Sequence, residues 1–161
     1  RLLGWGRAGG PAPARLILMV QREVGARLVA APGTKAYGRL TVETAYAANC
    51  RKLFEVPPGA FLPRPKVHSV VLELVPRAPA LPFAAEAVFH RIVRAAFGQR
   101  RKTLANALAE EAGSRGAVEA LLAAAGHPAG VRGERLTPSD FVRLAERWAT
   151  GEEERVNNNV Q

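Results

Sequence analysis

Five cations fall within twelve residues in the middle of the chain, Arg91, Arg94, Arg100, Arg101 and Lys102, with no acid among them. Gly98-Gln99 separates two apolar helical patterns, so Arg100, Arg101 and Lys102 are expected at a helix start. Clustered cations there oppose the helix dipole unless an anion compensates, and phosphate is the simplest such anion. The second chemical feature is Phe61-Leu62-Pro63-Arg64-Pro65-Lys66. A stiff loop carrying one ring and two cations can stack a base and hold its backbone. A hydrophobic plug between strands accounts for the same residues equally well.

Other motifs carry less. Gly4-Trp5-Gly6-Arg7-Ala8-Gly9 matches G-x-G-x-x-G, but only three residues precede it and Gly10-Pro11-Ala12-Pro13 follows. A phosphate loop needs a strand before it and a helix after it, so this reads as a surface loop. No acid stands about 20 positions on to hold a ribose, because Glu23 lies inside the next helical pattern. Asp140 is the only aspartate, and a capping role explains it. His68 on a strand face reads as structural rather than catalytic. With three scattered histidines and one cysteine, no zinc site is expected.

The elements that must position these residues follow from periodicity. Leu16–Val20 is a continuous apolar run, the pattern of a strand buried on both faces of a parallel sheet. From Gln21 the pattern turns helical through Val24, Leu28 and Ala31, and Pro32-Gly33 stops it. Residues 38–49 lean toward helix, and 50–56 and 67–75 read as strands. Between those strands, four prolines in Pro57–Lys66 make an extended loop that cannot join a central ladder. After Pro76–Pro82 the chain is helical: Phe89, Ile92, Val93, Ala96 and Phe97 form one stripe, and Leu104 and Leu108 anchor a second helix ending near Gly113. Val118, Leu121, Leu122 and Ala125 mark a third, closed by Gly126 and Pro128. Thr137, Pro138 and Asp140 start a fourth as a capping box, with Phe141, Leu144, Ala145 and Trp148 on its buried face. A partial α/β unit over residues 1–76 thus precedes a helical domain over 83–150 and a polar, flexible tail over 151–161.

Composition agrees with a folded protein. The 161 residues are 48% hydrophobic and 23% charged, a globular balance. Of the 23 cations 19 are arginine, and residues 1–109 carry 17 basic and 5 acidic side chains, against 6 and 9 in the rest. A body at +12 with a tail at −3 suits a polyanion such as nucleic acid, and a well-solvated surface equally. No apolar run approaches the roughly 20 residues that span a bilayer, and no secretory signal is seen. One cysteine, Cys50, excludes an internal disulfide framework and fits a reducing compartment. The chain begins with Arg1 rather than Met, and is expected to be a piece of something longer.

Four segments in order carry a family resemblance. Phe61-Leu-Pro63-Arg-Pro65-Lys66-Val67-His-Ser69 resembles the F-x-P-x-P-K-V-x-S motif of the ribosomal RNA adenine dimethyltransferases, the KsgA/RsmA family. Ala95–Leu104 resembles that family's A-A-F-x-Q-R-R-K-T-L signature, and Met19–Val24 and Ala36–Leu40 match two further segments. The similarity covers about residues 14–149.

The resemblance implies the C-terminal part of a Rossmann-like class I methyltransferase domain, an α/β fold, followed by a small helical rRNA-binding domain. It implies transfer of two methyl groups from S-adenosylmethionine to N6 of adjacent adenines in small-subunit rRNA. Phe61 would line the target-adenine pocket, Pro63, Arg64, Pro65 and Lys66 its rim, and Arg100, Arg101 and Lys102 would contact rRNA backbone. The family's glycine-rich cofactor loop, ribose-binding acid and catalytic N-L-P-Y segment precede the matched region and are missing from it. Residues 1–161 alone are therefore expected to bind no S-adenosylmethionine and to transfer no methyl group. The expected partner is small-subunit rRNA or the pre-30S subunit, with no metal and no membrane, for a cytoplasmic monomer whose truncated sheet exposes an apolar face and an open edge. The alternatives are a methyltransferase of the macrolide-resistance type acting on large-subunit rRNA, and a non-catalytic rRNA-binding or ribosome-assembly module. The Gln99–Thr103 stretch favours the small-subunit type over the first of these.

Overall fold

A computed structural model describes residues 13–158, with side chains through Glu152. The Gly4–Gly9 motif lies outside the described residues. The chain divides at Pro79/Ala80 into two compact units.

The first unit is a three-stranded sheet in the order β1 (Leu16–Gln21), β3 (Ser69–Pro76), β2 (Ala48–Val56), with both pairings antiparallel. The expected parallel sheet is therefore absent among the described residues. Nor is β1 buried on both faces: Leu16, Leu18 and Val20 are half-buried, whereas Ile17 and Met19 are 54% and 55% exposed. The physical reason is that, among the described residues, β1 pairs only with β3 and only its face carrying Leu16, Leu18 and Val20 is covered. On that face Val70, Leu72, Leu74 and Ala48 form the core, with Leu16, Leu18, Val20, Leu28 and Cys50 packed around them.

Two helices sit over this core. Helix α1 (Arg22–Leu28) follows β1 directly, and Arg22 N–H donates to the His68 carbonyl at 2.9 Å. Gly25 is buried against β3, and a Cβ there would lie 2.2 Å from Val70 Cγ1. The helix ends at Leu28, three residues before the expected Ala31. A turn follows in which the Thr34 hydroxyl donates to the Ala31 carbonyl at 2.7 Å, with Gly33 at φ +80°. Helix α2 (Arg39–Ala47) is fastened through Thr41, whose hydroxyl donates to the Arg27 carbonyl at 2.6 Å and accepts from Gly38 N–H at 3.2 Å. His68, expected on the β3 face, precedes that strand and is exposed.

The second unit is helical: α3 (Phe83–Gly98), α4 (Leu104–Leu108), α5 (Arg115–Ala124) and α6 (Pro138–Asn158). Phe89, Ile92 and Val93 of α3, Leu104 and Leu108 of α4, Leu122 of α5, and Phe141 and Leu144 of α6 are fully buried together with Leu136. The Phe97 and Phe141 rings lie 5.9 Å apart. Helix α4 ends at Leu108, five residues before the expected stop at Gly113, whereas Gly126 does follow the end of α5. The two glycines stand at φ +79° and +81°, values that glycine adopts without strain. The capping box of α6 forms as the sequence predicts, with Thr137 N–H donating to Asp140 Oδ2 at 2.8 Å and Asp140 N–H to Thr137 Oγ1 at 3.2 Å. Helix α6 runs on to Asn158, into the polar stretch assigned to a tail. Glu152 ties the start of that stretch to the unit by accepting from Trp148 Nε1 at 2.7 Å and from Arg91 at 3.0 Å.

Candidate nucleic-acid interface

In the first unit the candidate loop joins β2 to β3. Its ends are set by the pairing of Val56 with Ser69, and a 3-10 turn over Pro58–Ala60 opens it. Ala60 and Phe61 N–H donate to Pro57 and Pro58 carbonyls at 3.1 and 3.3 Å, so the loop carries its own short hydrogen bonds before the prolines take over. Phe61 is half-buried, and Leu62 beside it is 100% exposed. The Leu62–Pro63 peptide is cis. Pro63, Arg64 and Lys66 are exposed and Pro65 is half-buried. Arg64 and Lys66 form no ion pair among the described residues.

The acids of this unit are all occupied. Glu23 pairs with Arg27, Glu43 with Arg39 and Glu55 with Lys52. Glu73 is 6% exposed on the sheet face away from the helices, between Arg15 at 3.2 Å and Arg51, its cross-strand neighbour. The hydrogen bond from Arg51 holds the Glu73 carboxyl below its ordinary range, against the opposing effect of burial. Burial pushes the Cys50 thiol up, which makes it a poor nucleophile at neutral pH.

In the second unit Arg100, Arg101 and Lys102 occupy the turn between α3 and α4, not a helix start as the sequence suggests. Thr103 takes the N-cap, its hydroxyl accepting from Asn106 N–H at 3.3 Å, and α4 begins only at Leu104. The three cations stand before the cap of a five-residue helix, so opposition to the helix dipole contributes little to their energetics. All three are exposed. Arg100 lies 3.8 Å from Glu134, while Arg101 and Lys102 make no ion pair among the described residues.

Sequence reasoning missed what flanks this turn. Leu104 N–H donates to the Val131 carbonyl at 2.8 Å, which binds the start of α4 to the segment before α6. That segment forms a 3-10 turn over Gly133–Arg135, and Gly133 packs so tightly on α3 that a Cβ would lie 2.7 Å from Ala96 Cβ. The exposed Arg132 and Arg135 flank Gly133 and Glu134 in this segment. The signal was the close G-E-R spacing after an arginine, but only the Gly133–Ala96 contact shows where it lies. Arg91, one of the five clustered cations, is instead drawn to Glu152.

Asp140 is also buried, as Glu86 is. Burial pushes its carboxyl up, but hydrogen bonds from the Thr137 hydroxyl and backbone N–H, with the charges of His127 and Arg143, bring it below its ordinary value. No group of three or more His, Cys, Asp or Glu side chains able to hold a metal occurs among the described residues. No helix among them is long and apolar enough to cross a membrane.

The model of the family described as ribosomal RNA adenine dimethylase matches residues 8–149. The Ribosomal RNA small subunit methyltransferase A of Aromatoleum aromaticum is 49% identical over 131 residues, covering 80% of this chain and 47% of that protein. The protein of the same name from Xanthobacter autotrophicus is 45% identical over 151 residues, covering 92% and 51%. The chain thus spans about half the length of these relatives. Among solved structures, a dimethyladenosine transferase from Plasmodium falciparum matches with a TM-score of 0.71 at 23% identity, over 83% of this chain and 56% of that one. The 23S rRNA methyltransferase ErmE matches with a TM-score of 0.62 at 29% identity, over 86% and 56%.

Proposed function

Because the chain belongs to the ribosomal RNA adenine dimethylase family, we propose that it is part of an enzyme that uses S-adenosylmethionine to dimethylate N6 of adjacent adenines in small-subunit rRNA. On this reading the chain is the substrate-facing part of a Rossmann-like domain and the helical domain that follows it. The printed names of its relatives support small-subunit rRNA as the substrate. The observation that carries the assignment of residues is the state of the cations in both motif segments. Arg64, Lys66, Arg101 and Lys102 stand outside helices and strands with their side chains exposed and with no ion pair among the described residues. Folding has no use for them there, whereas a phosphate backbone does.

Phe61 forms a wall of the adenine pocket, with Pro63, Arg64, Pro65 and Lys66 as its rim, and Arg100, Arg101 and Lys102 hold backbone phosphates. The chemistry needs more than this. The lone pair on adenine N6 is delocalised into the ring, so a methyl acceptor of this kind must be oriented by hydrogen-bond acceptors close to N6. The residues at hand do not fit the cofactor. The four acids of the first unit, Glu23, Glu43, Glu55 and Glu73, are each paired with a cation, which leaves none to hold a ribose. We therefore propose that residues 1–161 by themselves bind rRNA, as a cytoplasmic monomer, without binding S-adenosylmethionine or transferring a methyl group.

Binding to a small-subunit rRNA fragment across a salt series tests the RNA reading. Replacing Arg100, Arg101 and Lys102 with Ala should weaken affinity and flatten the slope of log K against log salt by about 0.7–0.9 per lost phosphate contact. An unchanged slope returns the three residues to a solvated surface. Incubation with labelled S-adenosylmethionine and the same RNA tests the second part, and methyl incorporation in a single turnover overturns it.

A further inference from the structure

Leu62 stands fully in water at the tip of the loop between β2 and β3, while the ring beside it is half-buried. We propose that Leu62 is an apolar wedge that enters an RNA base step and holds an adenine out of its stack. This deepens the reading above and rests on it, since it concerns what the same loop does to the bound RNA.

Single exposed apolar side chains are ordinary on protein surfaces, so exposure alone decides nothing. Three further observations bear on Leu62. Its exposure is extreme: the other exposed large apolar side chains among the described residues lie between 37% and 90%. The loop cannot fold over to cover it, because Pro63 and Pro65 fix the following backbone and the Pro58–Ala60 turn and the Val56–Ser69 pair fix its ends. A side chain on a stiff support also loses little conformational freedom when it inserts. Finally, exposed Arg64 and Lys66 lie two and four residues further along, suited to phosphates beside an opened step. An apolar wedge beside cations is a device by which proteins prise base steps apart. A half-buried Phe61 offers only part of its ring, which suits a fixed wall against which an extruded base rests.

The test uses the 161-residue chain and an RNA hairpin with two adjacent loop adenines, one replaced by 2-aminopurine, whose fluorescence rises when it unstacks. Affinity and salt slope are measured in the same titration. The wild-type chain should bind and raise the fluorescence. Leu62→Ala should bind with the same salt slope and an unchanged melting temperature, since no folded contact is lost. Its unstacked-to-stacked ratio should fall about tenfold or more, the factor that corresponds to burying the missing carbons. Leu62→Met should restore the signal. Equal fluorescence in wild type and Leu62→Ala overturns the wedge and leaves RNA binding intact, as does wild-type binding with no fluorescence change. Failure of the wild-type chain to bind the hairpin overturns the RNA reading itself, and the wedge falls with it.

Discussion

Asp140 shows how one side chain can hold a helix and sense acid together. Its Oδ2 accepts from the backbone N–H and hydroxyl of Thr137, at 2.8 and 2.7 Å, and its Oδ1 faces His127 at 3.3 Å and Arg143. Thr137→Ala removes the reciprocal bond to the Asp140 N–H and should cost about 1 kcal/mol, or about 4–8 °C in the melting of a unit this size. The pH dependence follows from the depressed carboxyl. A group whose folded value lies below its unfolded one, near 3.9 for Asp, contributes stability that is present above that pH. The contribution is lost as pH falls through the folded value. The difference in melting temperature between wild type and Asp140→Asn should therefore be steady near neutrality and shrink below about pH 4. A difference that stays constant down to pH 2 would mean that the charge of Asp140 does not stabilise α6. The capping box was legible from three residues, because Thr137, Pro138 and Asp140 act within one turn. His127 and Arg143 joining it was not, because the His127 contact is made by the return of the chain from α5.

At the scale of elements, what the sequence reveals depends on whether its pattern can report a face. The stripes of α3, α5 and α6 separate apolar from polar positions, and the structure buries Phe89, Ile92, Val118, Leu122, Phe141 and Leu144 accordingly. Leu16–Val20 has no polar position at all, so its sequence cannot show that Ile17 and Met19 are left in water or that the strand pairs antiparallel. The loop over Pro57–Lys66 was legible because four prolines forbid a ladder. The turn at Arg100–Lys102 was misplaced because the cap is Thr103, a residue hidden behind the charge cluster. Packing of α1 on β3 gives a direct test of such contacts. Gly25→Ala brings a methyl group into Val70 and should destabilise the chain by about 1–3 kcal/mol. Val70→Ala creates the space it needs, so the double variant should be more stable than the sum of the two single changes implies, by chemical denaturation. Additivity within error would show that α1 shifts freely over the sheet.

For the whole molecule, the net charge of +9 divides unevenly across the boundary at Pro79/Ala80. Residues 1–79 hold 12 cations and 4 acids, while residues 80–161 hold 11 and 10. The second unit is thus close to neutral, and its basic character is local, concentrated in the Arg100–Lys102 turn and in Arg132 and Arg135 of the segment tied to it through Leu104 and Gly133. Salt dependence of RNA binding separates local from net charge, because counterion release counts phosphate contacts and not the total. Replacing Arg132 and Arg135 with Ala should flatten the salt slope by about 0.7–0.9 each, if both lie on the RNA-facing surface. Replacing Arg115 and Arg39 removes the same net charge, but each of these is paired with a glutamate one helical turn away, at 2.7 and 2.8 Å. That variant should keep the wild-type slope and lose only a little affinity through the weaker long-range field. Equal flattening by both pairs would show that RNA responds to the total charge of the chain, and that the turns of the second unit are not a built contact surface.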